Sequence, residues 1–217
     1  YWTYSRHAMH SLRVAGLFAQ ASRLVAPFNA LRAGDLRERA IRAYDYAVAH
    51  GADEHSRGPM LYGAGELFRL TGLQKYADMF TATWIVEDKY GLGPGMYAYL
   101  PDVSSYYDPV PYLIPDHLLG YIMSPLANPT YVSQIRTKLT TMAGNAVTAV
   151  DTLHAHRNGR DPNQSPALGK GTAVGEYVMS VYARAQMGGL APSEWQTYFD
   201  AMSLSADYVL GANPEGR

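Results

Sequence analysis

Cysteine is absent from the 217 residues. That excludes disulfides, thiolate metal sites and a cysteine nucleophile. Charge is scarce, at 17%, and balanced: 18 basic residues stand against 19 acidic ones, for a net of -1. No electrostatic reason remains to propose nucleic acid or an anionic membrane as partner. No apolar run approaches the roughly 18 residues of a membrane span. The HExxH, P-loop and GxSxG motifs are missing. "GLGPG" follows a helix rather than a strand and lacks the terminal Lys-Ser/Thr of a phosphate loop, so it is set aside. Two histidine pairs, His7 with His10 and His154 with His156, have metal-compatible spacing but no third ligand nearby, and read as structural.

What is present is apolar bulk and tyrosine. Hydrophobic residues make up 47% of the chain, enough for a sizeable core, and 18 Tyr outnumber 5 Phe and 3 Trp. Tyrosine is apolar in body and polar at its tip, which suits either a packing layer or a surface that stacks on sugars. The arginines Arg32, Arg37, Arg39 and Arg42 alternate with Asp35, Glu38 and Asp45 and read as one solvated helix face.

Hydrophobic periodicity predicts helices throughout and no strands. The segment from about 5 to 25 is apolar or small around most of its circumference, with a polar stripe of Arg6, His10, Arg13 and Gln20. It reads as an inner helix packed on several sides. The next, about 35–50, has one apolar stripe and a charged back, as an outer helix does. Further helices are expected at about 60–70, 74–86, 114–123, 131–156, 172–187 and from Ser193, where Gln196 completes a capping box. The last should turn Trp195, Phe199, Met202, Ala206 and Val209 inward. "LFRLTGLQKYADMF" is a helix-Gly-helix corner whose Tyr76 packs back on the turn. About eight helices in antiparallel pairs, charge-poor alternating with amphipathic, describe an all-α repeat or an α/α toroid in two layers, with the helices near 5–25, 60–70, 114–123 and 172–187 inside.

Chemistry is expected on the loops. "GADEHSRGP" groups Asp53, Glu54, His55 and Arg57. The irregular stretch 88–112 holds Tyr106 and Tyr107 beside Asp108. "ALGKG" presents Lys170 ahead of a charge-poor helix. In a toroid these three loops emerge at one end, and long loops inside compact domains are usually functional.

Several motifs, in order, resemble a known family. "LGANPEGR" is similar to the "LGxNPxxxSYVxGxG" segment of glycoside hydrolase family 9, the cellulase family with an (α/α)6 barrel. "HAMHSLRVAGLFAQASRLVAPFN" resembles that family's small-residue inner helix ending in "AxAsRxxxPFD". "LYGAGELFRLTGLQKY" resembles "lWaAaeLyraTGdxxY", and "GTAVGEYVMSVYARA" its penultimate inner helix. The resemblance implies hydrolysis of a β-1,4-linked glucan or oligosaccharide with inversion: one carboxylate activates water while a protonated Glu serves the leaving oxygen. The family's "DAGDY" segment and its catalytic Glu do not occur here. The catalytic residues are therefore unassigned, and residues 1–217 are expected to be the C-terminal part of a catalytic domain cut at both ends.

By position, the resemblance places Tyr107 and Asp108 at a sugar subsite and Lys170 near a family Arg. It places the Asp53–Arg57 loop where cellulases carry aromatic platforms. Charged residues there are a departure, and leave open a shorter pocket for oligosaccharides, including amino sugars drawn by Asp53, Glu54 and Asp108. An exo-acting β-glucosaminidase of the same family is thus one alternative, and a non-catalytic helical binding scaffold is another. The resemblance further implies a secreted or periplasmic protein. No cofactor is expected; calcium is common in the family, but no ligand set is readable. An incomplete barrel should also expose inner-helix side chains such as Leu12, Leu17 and Phe18.

Overall fold

The computed structural model describes residues 7–52, 57–89, 115–152 and 174–209. It is all-α, with eight α-helices and no strand among the described residues. They are α1 (Ala8–Val25), α2 (Ala30–Ala49), α3 (Arg57–Thr71), α4 (Gln74–Lys89), α5 (Leu119–Ile122), α6 (Pro129–Thr152), α7 (Val174–Gln186) and α8 (Pro192–Val209), with a 3-10 turn, Pro115–Leu118, leading into α5. The helices fall into two compact units. One holds α1 to α5 and the start of α6, the other the rest of α6 with α7 and α8.

In the first unit α3 is the central helix. Every residue from Gly58 to Phe68 is buried, as a charge-poor stretch predicts, and the single charge in it is Glu66. α1 and α4 pack on it, α5 crosses it, and α2 packs on α1. The largest fully buried side chains here are Trp84, Tyr76, Tyr121, Phe68 and Phe80. Tyr121 stacks on Phe80 with ring centroids 4.0 Å apart. Tyr76 is buried edge-on to Tyr44, 5.2 Å away, so it packs on α2. Burial, and secondarily the neighbouring Tyr76, holds the Tyr44 phenol well above its ordinary range. Gly72, at φ 68, makes the α3–α4 corner in the left-handed conformation that favours glycine.

Helix boundaries follow local chemistry, sometimes against the sequence expectation. α2 starts at Ala30, ahead of the expected 35, because Asn29 caps it: its side-chain oxygen accepts the Arg32 N–H at 2.9 Å. α8 starts at Pro192 rather than after Ser193, and the capping contact is Glu194 accepting from the Ala191 N–H at 2.9 Å. The arginine-rich face of α2 is exposed and self-paired, with Arg32 at 2.7 Å and Arg39 at 2.9 Å from Asp35. The hydrogen bond from Arg39 lowers the Asp35 pKa.

α1 is covered on one side, and of the three side chains expected to be exposed Leu17 is, Phe18 is partly so and Leu12 is not. Ala8, Leu12, Ala15, Gly16, Ala19 and Ser22 are buried, and Ser22 donates to the Ala33 carbonyl of α2 at 2.8 Å. The opposite face is open: Leu17 is 55% exposed and Phe18 half-buried, whereas Leu12 is fully covered. In the second unit, α6, α7 and α8 share a core of Ala143, Ala146, Val181 and Tyr198, with Met202 packed against it. Trp195 and Phe199, expected inside, are about half exposed, at 48% and 54%. Met202 does pack inward as expected, but the buried positions beside it are Tyr198 and Ala201, each one residue before Phe199 and Met202, and Ala206 is exposed.

Candidate functional site

All seven residues expected to bind substrate, Asp53, Glu54, His55, Tyr106, Tyr107, Asp108 and Lys170, lie outside the described residues. The structure does describe the points at which two of their loops re-enter the helices. The loop carrying Asp53 to His55 leads into α3 at Arg57 and Gly58. The stretch carrying Tyr106 to Asp108 leads into the 3-10 turn at His117. These points touch: the His117 ring is hydrogen-bonded to the Gly58 main chain.

A polar seam surrounds that contact. The Tyr62 ring of α3 stacks on His117, centroids 4.8 Å apart and planes 22° apart. On its other side Tyr62 lies flat against Gly16 of α1, where an added Cβ would come within 2.4 Å of the ring. The Tyr62 hydroxyl donates to the side-chain oxygen of Gln20 at 3.1 Å. Arg13, one helical turn before Gly16, adds positive charge beside the imidazole. Two members of the polar stripe read in the sequence, Arg13 and Gln20, thus line this seam. His117 and Tyr62 were not anticipated; their only signals are a histidine directly after a proline-broken stretch and a small-residue notch at Gly16. Burial, then Arg13, lowers the His117 pKa to about 3, against the opposing pull of Gly58. The ring is therefore neutral at ordinary pH.

Towards the C-terminal ends of α1 and α3 lies the one buried carboxylate among the described side chains, Glu66, ion-paired with Arg23 of α1. A carboxylate fixed on a guanidinium accepts hydrogen bonds but is not free to shuttle protons. Among the described residues no group of three or more His, Asp or Glu could hold a metal ion. His7 and His10 meet edge-on at 5.6 Å, and His7 caps α1 by accepting the Met9 N–H. No described helix is long and apolar enough to cross a membrane.

No protein-family model matches the sequence, and no curated protein does either. Among solved structures, the chain is similar to a single mutant of a thermostable endoglucanase from Alicyclobacillus acidocaldarius, with TM-score 0.71 and 17% identity over 98% of this chain. It is likewise similar to AaCel9A in complex with a cellobiose-like isofagomine, with TM-score 0.70 and 16% identity over 98% of this chain. It spans 39% of each of those chains. At this identity the likeness shows the fold: all-α and consistent with an α/α toroid.

Proposed function

We propose that this chain is part of the catalytic domain of a glycoside hydrolase of family 9, acting on β-1,4-linked glucan or oligosaccharide with inversion. The observation that carries the reading is the fold likeness to endoglucanases over 98% of the chain; the order of the family-like motifs supports it. On this reading the water-activating carboxylate and the acid come from parts of the fold that these residues do not include. The helices here form the wall and floor of the cleft. Tyr107 supplies a stacking face, and Tyr106, Asp108, Lys170 and the Asp53–His55 loop supply polar contacts. The hydrogen bond between His117 and Gly58 favours the first two loops sharing one end of the helices. A saccharide-degrading enzyme of this kind is expected to be secreted or periplasmic.

The charged Asp53–Glu54 loop favours a second substrate class, amino-sugar oligomers, over long cellulose. Calorimetric titration with cello- and chito-oligosaccharides decides between them. The 217-residue chain should bind one class without hydrolysing any β-glucoside, since it holds neither proposed catalytic carboxylate; robust turnover would refute the mechanism. Tyr107→Ala should weaken binding about tenfold while leaving the helical circular dichroism intact, the expected loss for an aromatic platform. Asp53→Asn with Glu54→Gln should weaken glucosamine oligomers more than cello-oligomers. Equal losses favour the plain glucanase, and no saccharide binding at all favours a non-catalytic scaffold.

A further inference from the structure

His117 is a buried imidazole in a place with no use for a charged one. It is 5% exposed, and its Nδ1 is buried without a hydrogen-bond partner among the described residues. From α1 the cation of Arg13, whose Nε is also buried and unpartnered, acts on it electrostatically. From α3 it meets the face of Tyr62 and the Gly58 main chain. No carboxylate is among the described groups that act on it; Glu66, further along α3, is paired with Arg23. While neutral, the ring stacks on Tyr62 and ties the turn before α5 to α3. A second proton would be buried at Nδ1 with no acceptor and with a like charge beside it, an arrangement that costs several kcal/mol.

We propose that His117 is an acid-sensitive latch that fastens the turn at 117–119 to α3 when neutral and releases it when protonated. The release is local, because the far end of α5 has its own anchors: Tyr121 stacked on Phe80, and Gly120 seated against α3. The sign follows from the depressed pKa. A histidine in an opened segment titrates near 6.5, whereas the latched ring does so at about 3. The contribution to stability is therefore complete above pH 6.5 and is lost as pH falls from there towards 3. The opening equilibrium rises about tenfold per pH unit across the middle of that window.

The test is amide hydrogen exchange on the 217-residue chain, as protection factors corrected for intrinsic rates, at pH 7 and pH 4.5. Amides of residues 117–119 should lose protection by up to about seventyfold, while those of 120–122 and of α2 change far less. His117→Gln, which cannot take up a proton, should flatten the difference. Arg13→Gln should shrink it by removing the repelling cation. Unchanged wild-type protection, or a His117→Gln protein that loses protection in step with wild type, overturns the latch. If His117→Gln fails to fold, NMR titration of the wild-type ring decides. A ring that stays neutral below pH 5 until the segment opens supports the latch, and one that protonates near 6.5 with protection retained overturns it.

Discussion

Arg23→Met should destabilise the first unit by about 2–4 kcal/mol, read as a fall in the urea midpoint at unchanged slope. Glu66 is 3% exposed, on the most buried helix of the unit, and Arg23 of α1 is its ion-pair partner. Removing the cation leaves a carboxylate in a poorly solvated place, and that uncompensated charge, rather than the lost attraction, dominates the cost. Arg23 is 19% exposed, so water replaces part of its role and the loss falls towards the lower end of the range. The diagnostic variant is the double one. Arg23→Met with Glu66→Leu removes both charges and should recover most of the single-variant loss, since a buried ion pair is often no better than an apolar pair of similar volume. A double variant as unstable as the sum of its parts would mean that the two side chains act independently. It would remove the argument that α1 and α3 are matched through this pair.

Helix identity was legible because it depends on composition within one segment. The charge-poor 60–70 stretch predicts a buried helix, and α3 is one. On α6 the apolar three-four spacing runs Val132, Ile135, Leu139, Met142, Ala146 and Leu153; the middle four are buried, Val132 is half-buried, and Leu153 lies outside the described residues. Facing is harder, because it depends on what the neighbour offers. Trp195 and Phe199 are the largest apolar groups near the start of α8, yet the core shared with α6 and α7 takes Tyr198 and Ala201 and leaves both aromatics half exposed. On α1 the expected exposure of Leu12, Leu17 and Phe18 divides for the same reason: Leu17 is as apolar as Leu12, yet Leu12 is fully buried and Leu17 is 55% exposed. The expected substrate loops rest on family-like motifs and lie outside the described residues. The seam around His117 was not legible, because Gly16, Tyr62 and His117 are far apart in sequence and meet only when three elements pack.

Close backbone approach, invisible in a linear pattern, underlies the second large effect. Gly120 sits where α5 crosses α3. A Cβ there would lie 2.8 Å from the Glu66 backbone nitrogen and 2.9 Å from the Gly65 carbonyl carbon. Those are main-chain atoms of a fully buried helix, so no side-chain rotation relieves the clash. Gly65 answers from the other side, since its own Cβ would approach the Tyr121 nitrogen at 3.1 Å. Gly120→Ala must therefore push α5 away from α3. The push would disturb both the Tyr121–Phe80 stack and the packing over Glu66. The expected cost is about 2–3 kcal/mol, at the upper end for overpacking, because backbone rather than side chain has to move. Gly144 is the control. It lies inside α6, is exposed, and has nothing within 4 Å of an added Cβ. There the same substitution removes only the helix penalty of glycine and should stabilise by about 0.5–1 kcal/mol. The two variants, each adding one methyl group to a helical glycine, should move the urea midpoint in opposite directions. A Gly120→Ala protein as stable as wild type would mean that α5 does not pack on α3 through these two glycines.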